Sequence, residues 1–228
     1  MYSIFRKLFD NKMGPAIVFN TDTDTCYKMF NDLYKVILEK EKQEYPYHYL
    51  ILEFKQQIYA TYRDKRNAFE SKLKEDEKYT KLENFDEKER NSYITTVSDY
   101  YLKLLNKIKE NLSIPKNIRD IQYGNLYEEY QNTLNRPDLS VKDIFKKHPK
   151  FCFSMTDPMS GNMIKAIRKE IKKSIGIEID YESILFQMLK RGIGIYTENV
   201  PDIYKWIVQK LVSEKKLYFL ISYITLCL

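Results

Sequence analysis

Short, continuous apolar runs stand near both ends of this chain, and a long charged stretch separates them. The first run is Ala16–Phe19, and further runs lie near 151–155, 192–196 and 217–222. Such a run without polar alternation is typical of a strand that is buried on both faces of a parallel sheet. Apolar residues at helical spacing lie between the runs and predict the helices that cover such a sheet. We therefore predict an α/β fold: a small, mostly parallel sheet with helices on both faces.

The middle of the chain, residues 39–140, has a different texture. Residues 39–90 contain 13 acidic and 12 basic residues, a balance typical of solvated helices. Apolar residues recur every fourth position from Leu50 to Tyr62, and again between Tyr93 and Ile108. These patterns predict an antiparallel pair of helices joined by a loop near 75–90. We expect the many tyrosines of these helices to pack against each other rather than to stack on the bases of a nucleic acid. Residues 113–137 contain Pro115, Gly124 and Pro137 and are predicted to be less regular.

The domain organisation follows from this contrast. Residues 1–38 and 141–228 are predicted to form one incomplete α/β domain, and residues 39–140 to form a charged, Tyr-rich helical insertion within it. Within the domain, helices are predicted for 3–9, 161–174, 181–190 and from 201 onward. We further predict that Trp206 is partly buried, that Cys26 is a small core residue, and that the strand ending at Ser222 has an exposed edge.

Composition limits the classes of protein that this chain can belong to. With 43% hydrophobic residues, the chain can bury a core, which argues against disorder throughout. Its three cysteines are odd in number and far apart, so we expect a reducing, intracellular and cytoplasmic setting rather than disulfides. The start has no signal-peptide pattern, and the apolar tail of about 12 residues is too short to span a membrane, so no membrane contact is predicted. The Tyr-rich, Ala-poor usage suggests an AT-rich genome, as in some large DNA viruses and protists.

Known catalytic patterns are missing from the sequence. It has no GxxxxGK[ST] loop to hold phosphates, no GxSxG elbow and no kinase signature. Its two histidines are about 100 residues apart, and neither a CxxC pair nor an HExxH helix is present. The chain alone is therefore predicted to have no catalytic residues and no metal site.

One stretch carries a more specific pattern. It begins at Arg191-Gly-Ile-Gly194, continues through Pro201, Tyr204, Val208 and Leu211, and ends after a strand at Thr225-Leu226. This resembles the second RecA-like lobe of the superfamily 2 DExH-box RNA helicases of the superkiller-like group, in which RGIG is followed by P-x-x-Y-x-x-x-V-x-x-L and later by T-L. The front of the chain agrees, because Pro15-Ala-Ile-Val-Phe19 followed by Cys26 resembles the segment that opens the same lobe. The resemblance covers roughly 1–38 and 184–228.

The resemblance implies an incomplete RecA-like lobe of an ATP-dependent RNA helicase that carries a large α-helical insertion. A complete helicase would bind ATP and Mg²⁺ with a first lobe that holds the P-loop and the DExH box, and with an arginine segment. None of these is in the sequence, so no cofactor is predicted for this chain alone. Some family positions are changed: Tyr196-Thr-Glu-Asn199 replaces His-His-x-Gly, Thr23-Asp-Thr25 replaces basic residues, and Tyr223 replaces a Thr. Each change removes a group that could contact a phosphate.

Two sets of residues are candidates for binding RNA or another single-stranded nucleic acid. The resemblance implies Arg191, Gly192, Gly194 and Thr225. Charge suggests a second set on the 161–174 helix, because residues 141–191 hold eleven basic and six acidic residues and supply most of the net charge of +6. That set is Lys165, Arg168, Lys169, Lys172 and Lys173. The plain alternatives are a solvated helix face for the basic set and close strand packing for the two glycines.

The sequence is compatible with three hypotheses about function. The first is a divergent half of a DExH-type helicase that acts with a first lobe elsewhere. The second is a non-catalytic protein–protein interaction module built on a degraded helicase lobe. The third is a helical structural protein whose matches arise by chance. Weak, salt-dependent binding to single-stranded RNA would favour the first, and a protein partner retained at physiological salt would favour the second.

Overall fold

The computed structural model describes residues 1–75, 78–135, 147–154 and 159–223. It is mostly helical with a small parallel sheet, which is an α/β architecture. In chain order the elements are helix α1 (Tyr2–Asp10), strand β1 (Ala16–Asn20), helices α2 (Thr23–Glu44), α3 (His48–Glu70), α4 (Lys78–Glu110) and α5 (Lys116–Asn135), a 3₁₀ turn (Pro149–Phe151), helices α6 (Gly161–Ile175) and α7 (Ile184–Leu189), strand β2 (Ile193–Tyr196), helix α8 (Asp202–Ser213) and strand β3 (Phe219–Tyr223).

Two compact units make up the chain. Met1–Glu41 together with Phe145–Leu228 forms one, which we call the α/β unit. Lys42–Ile144 forms the other, which we call the helical unit. The sheet and helices α1, α6, α7 and α8 belong to the α/β unit, and α3, α4 and α5 belong to the helical unit.

The described residues of the α/β unit form a three-stranded parallel sheet in the order β1-β3-β2. Ala16 and Ile193 both lie opposite Phe219, and Val18 and Ile195 both lie opposite Ile221. The predicted strands near 16–19, 192–196 and 217–222 are therefore confirmed, as is the parallel arrangement. The predicted exposed edge is wrong, because β3 is inserted between the other two strands and its residues Phe219–Ser222 are buried.

Aromatic rings fill the core around β3. Phe5 of α1 stacks on Phe219 with ring centroids 4.1 Å apart, and Phe153 contacts the same ring edge-on at 5.3 Å. Phe9 packs edge-on against Phe153 at 5.4 Å. Burial of such large rings is a major favourable contribution to the stability of this unit. The amphipathic pattern predicted for 3–9 is thus confirmed as helix α1, which covers the sheet.

A strand predicted near 151–155 is not formed by the described residues 151–154. The amide of Phe151 donates to His148 O and that of Cys152 donates to Pro149 O, which closes a 3₁₀ turn instead. The amide of Phe153 donates to Arg191 O at 2.7 Å, two residues before β2 begins. The apolar run at 151–153 reflects the burial of these side chains, and a buried segment need not form the hydrogen-bond ladder of a strand. Met155 lies outside the described residues.

The helical unit is built from α3, α4 and α5. Lys55 of α3 donates to the Tyr101 hydroxyl of α4, and Arg66 of α3 contacts Asp86 of α4, so the two helices are antiparallel as predicted. Tyr93 and Tyr101 are buried among the aliphatic side chains of the unit, which confirms that tyrosines of these helices pack in the core.

Two predictions for this unit are wrong. A loop was expected near 75–90, but most of this range is helical, since α4 begins at Lys78. The first turns of α4 are charged and mostly exposed to solvent, so the charge density that suggested a loop is compatible with a helix. The segment expected to be irregular near 113–137 contains the continuous helix α5, which passes through Gly124. Gln122 and Asn125 of α5 donate to the carbonyls of Gln43 and Glu44, so packing outweighs the low helix propensity of one glycine. Pro137 lies outside the described residues.

Within the described ranges, no helix combines the length and the apolarity that crossing a membrane requires. Cys26 is buried on α2 in the row that also contains Phe30, Leu33 and Ile37, as predicted for a small core residue.

Candidate nucleic-acid interface

Arg191, the first of the predicted nucleic-acid contacts, lies in the interior of the α/β unit. It lies between α7 and β2, two residues before the first residue of the strand, Ile193. Its guanidinium is fully buried, lies 2.5 Å from the carboxylate of Glu41, and also donates to Phe151 O at 3.4 Å. A buried guanidinium with a carboxylate partner is not available to a phosphate on the surface. The prediction that Arg191 contacts nucleic acid is therefore wrong for this structure.

The charges around Arg191 form a compact internal network. The second carboxylate oxygen of Glu41 accepts the His148 amide at 3.0 Å. Burial raises the pKa of Glu41, but the guanidinium and the His148 amide outweigh it, so the pKa lies below its ordinary value. Burial, aided by repulsion from Arg191 and Lys190, lowers the pKa of Lys147 to about 8. This network joins α2, the 147–151 segment and the turn before β2.

Gly192 and Gly194 are explained by packing. Gly192 has a φ of 77°, and a Cβ atom at this position would lie 1.6 Å from Phe153 O. Only glycine allows the backbone of residue 153 to approach so closely in that conformation. Gly194 lies inside β2, where a Cβ would meet Leu217 and Val208 side chains at 3.0 and 3.2 Å. Both glycines are buried, so the packing alternative describes them better than ligand contact.

Helix α6 presents the second predicted set on its surface. The Ser160 hydroxyl accepts the Met163 amide at the start of the helix, and Gly176 ends it in the left-handed conformation. The predicted apolar stripe is confirmed, because Ile164, Ile167 and Ile171 are buried. The opposite side, which we call the α6 basic face, consists of Lys165, Arg168, Lys169, Lys172 and Lys173.

Two cations of the α6 basic face are already engaged. Arg168 donates to Glu178 at 2.8 Å and to Ile179 O at 3.1 Å, and Lys172 donates to Glu178 at 2.7 Å. The Lys172 ammonium holds the pKa of Glu178 below its ordinary value. The other three lysines, at 165, 169 and 173, are exposed and have no acidic partner among the described residues. Their spacing of four residues places them in one row along the helix.

The carboxyl ends of the strands carry charge of the opposite sign. Ligands of open α/β sheets usually bind beyond these ends. Here Asp22 and Asp24 follow β1, Glu198 follows β2, and all three are exposed. Asp22 accepts the Thr25 hydroxyl and amide, and these hydrogen bonds keep its pKa below the ordinary value. Negative charges at this end repel a phosphate backbone. Thr225, which the resemblance implies as a nucleic-acid contact, lies outside the described residues.

For two residues that bear on function, the sequence analysis differs from the structure. Trp206 of α8 was predicted to be partly buried, but 74% of it is exposed. Its helix buries Tyr204, Ile207, Val208 and Leu211, and helical spacing from these positions points residue 206 outward. Glu41 was not singled out as a partner of Arg191.

Comparison of the chain with protein-family models, with curated proteins and with solved structures finds no match.

Proposed function

We propose that this chain is a divergent second RecA-like lobe of a DExH-type RNA helicase, with helices on both faces of its sheet. The observation that supports this most is that the segments of the resemblance assemble side by side. Pro15-Ala-Ile-Val-Phe19 leads into β1, Arg191-Gly-Ile-Gly194 leads into β2, and the segment before Thr225 forms β3. They are far apart in the sequence, yet they are the strands of one parallel sheet.

The role that we propose for the lobe is weak binding to the backbone of single-stranded RNA through the three open lysines of the α6 basic face. Lys165, Lys169 and Lys173 lie in one row, and no carboxylate of the described part of the chain forms a salt bridge with them. Phosphate contacts of this kind give affinity without sequence specificity. Each phosphate neutralised on a single strand contributes about −0.7 to the slope of log K against log salt, so three contacts give about −2.

In a complete helicase, hydrolysis requires a P-loop lysine and a metal on one lobe and arginines from the other. The sequence of this chain has no P-loop, so ATP and Mg²⁺ would be held chiefly by a first lobe. The proposal therefore assigns nucleic-acid contact, and not ATP hydrolysis, to the residues of this chain.

The proposal is tested by fluorescence anisotropy with a labelled single-stranded RNA of uniform sequence. We expect binding that weakens between about 50 and about 200 mM salt with a slope near −2. The variant Lys165→Glu/Lys169→Glu/Lys173→Glu should lower the affinity at least about tenfold and remove most of the slope. A matched control, Lys103→Glu/Lys107→Glu/Lys116→Glu, makes the same charge change on exposed lysines of α4 and α5.

Two results would contradict this role. One is RNA affinity that the control variant lowers as much as the α6 variant, since net charge alone would then explain it. The other is wild-type protein without measurable binding at about 50 mM salt, where phosphate contacts are strongest.

The exposed Trp206 favours a second candidate function, a non-catalytic module that binds a protein. Tryptophan is among the residues that contribute most at protein interfaces, and 74% of Trp206 is accessible to a partner. The acidic strand ends also disfavour RNA at that part of the unit. A photo-crosslinking residue in place of Trp206 would capture such a partner. The purified complex should survive physiological salt and weaken at least about tenfold with Trp206→Ala, while RNA binding remains absent.

A further inference from the structure

Strand β1 is an open edge of the sheet. In the order β1-β3-β2 both outer strands have one side without a neighbouring strand among the described residues. The side of β2 is covered, because Ile193–Ile195 are fully buried. No residue of β1 is buried to that degree, and 53% of Phe19 is exposed. An outer strand that is not covered in this way presents a row of unpaired backbone groups.

The backbone of β1 has unused hydrogen-bonding groups along this edge. The Ala16 amide donates to Tyr218 O at 2.9 Å, which directs the even-numbered residues of β1 towards β3. Alternation along a strand then directs the amides and carbonyls of Ile17 and Phe19 away from β3. Within the described ranges, no backbone or side-chain group forms a hydrogen bond with them. An unpaired row of this kind is a template for another strand.

Common protections against edge pairing are weak at β1. Natural edges carry lysine, inward-pointing charges, bulges or a covering segment. The five residues from Ala16 to Asn20 include no charge, and Pro15 precedes them rather than interrupting them. The exposed apolar side chain of Met13, 62% of which is accessible, precedes the strand by three residues. The edge is therefore both apolar and free to pair.

The charges at the two ends of β1 are complementary under a twofold axis. At the start, Arg6 and Asp10 neutralise each other, which leaves the exposed Lys12 as the adjacent charge. After the carboxyl end of β1, Asp22 and Asp24 are exposed. When two copies of β1 pair antiparallel, Lys12 before the amino end of one strand lies beside Asp22 and Asp24 after the carboxyl end of the other. A parallel partner strand would gain no such attraction from this edge.

We propose that β1 pairs antiparallel with β1 of a second copy of this chain, which extends the sheet across a twofold axis. Centring the axis on Val18 places Ile17 opposite Phe19 of the partner subunit. Both residues direct their backbone groups outward, so this alignment makes two hydrogen-bonded pairs. The contact is isologous, as twofold dimers require. It is distinct from the proposed RNA contact, which uses α6.

Sedimentation equilibrium of the full chain from about 1 to about 100 µM tests the proposal. We expect a monomer–dimer equilibrium within this range. Hydrogen exchange at the Ile17 and Phe19 amides should slow as the concentration rises, whereas exchange at Val18 should change little because its amide already faces β3. Wild-type protein that stays monomeric at the highest concentration overturns the proposal.

Variants identify the surface that pairs. Phe19→Pro removes an outward amide without removing a hydrogen bond to β3 and should weaken dimerisation at least about tenfold. Phe19→Lys leaves the backbone amide in place and should also weaken dimerisation, because a lysine on an edge strand disfavours pairing. The test therefore remains valid if the proline variant fails to fold. Ile4→Lys, the matched control, should change the dimerisation constant less than about twofold. Equal effects of Phe19→Lys and Ile4→Lys would refute pairing through β1.

Charge reversal provides a test of the antiparallel direction. Lys12→Asp should weaken dimerisation, and adding Asp24→Lys should restore most of the loss because each pair again has opposite signs. Aspartate suits the position of Lys12, which has a φ of 55°. Additive weakening by the two reversals would contradict the antiparallel arrangement.

Discussion

The ion pair between Glu41 and Arg191 leads to the sharpest prediction about stability. Both side chains are almost completely buried, and the closest nitrogen–oxygen distance is 2.5 Å. Glu41→Gln removes the negative charge but keeps an oxygen that can accept the His148 amide. The guanidinium is then a buried charge without its counterion. Breaking a buried pair in this way costs about 3–5 kcal/mol of the free energy of unfolding.

For a chain of this length, that loss corresponds to a decrease in melting temperature of about 6–20 °C. Urea and thermal unfolding followed by circular dichroism measure it, together with hydrogen exchange of the β2 and β3 segments. Glu39→Gln is the matched control, because Glu39 is an exposed carboxylate of the same helix. Its effect should stay within about 0.5 kcal/mol.

A double-mutant cycle separates the pair from its surroundings. Arg191→Met alone leaves a buried carboxylate, whereas Glu41→Gln/Arg191→Met leaves no unpaired charge. The double variant should therefore be less destabilised than the sum of the single variants by at least about 2 kcal/mol. A coupling below about 0.5 kcal/mol, or a Glu41→Gln variant as stable as the Glu39→Gln control, would refute the reasoning.

Acid should remove the contribution of this pair as well. The pKa of Glu41 is lower in the folded chain than its ordinary value of 4.5. The stability that the pair contributes is therefore fully present above that ordinary pKa and is lost as the pH falls through the folded pKa. The Glu41→Gln variant should lack this part of the acid transition.

Further predictions concern the same unit and the helical unit. Gly192→Ala should destabilise the α/β unit by more than about 3 kcal/mol, because a Cβ would collide with Phe153 O at a positive φ; unfolding by urea measures it. Gly124→Ala, with open space around α5, should instead stabilise the chain by about 0.5–1 kcal/mol in the same assay. Because the pKa of Lys147 is about 8 in the folded chain and 10.5 ordinarily, stability should rise by up to about 3 kcal/mol between pH 8 and 10.5, and Lys147→Met should abolish that rise. Trp206 fluorescence should be quenched by acrylamide almost as strongly as free tryptophan, since its side chain is exposed; strong protection would contradict its placement.

Much of the local structure could be predicted from the chain alone. The helix of 161–174 and the strands at 16–19 and 192–196 were predicted close to their observed bounds, because periodicity and apolar runs are local properties. The candidate basic set on α6 was also placed on a helix surface by its spacing. The sequence contains a signal both for Glu41, which was missed, and for the exposure of Trp206, which was predicted wrongly. Glu41 continues the row of buried positions that includes Phe30 and Ile37, and Trp206 lies off the apolar stripe of α8.

The predictions of secondary structure that proved wrong have a common physical cause. An apolar run such as 151–154 reports burial, but whether it pairs as a strand depends on which backbone groups lie beside it. Gly124 weakens a helix locally, yet contacts of α5 with the carbonyls of residues 43 and 44 outweigh that cost. Such contacts join residues that are distant in the sequence, so no local pattern contains them.

The sequence by itself determined the class of fold, the alternation of buried strands with amphipathic helices, and the basic character of α6. Only the tertiary structure decided which strand lies in the centre and what Arg191 contacts. Its partner Glu41 is 150 residues away, and the chain must fold before the two charges meet. The strand order β1-β3-β2 likewise follows from packing. Among the described strands it places β1, rather than the strand ending at Ser222, at an exposed edge of the sheet.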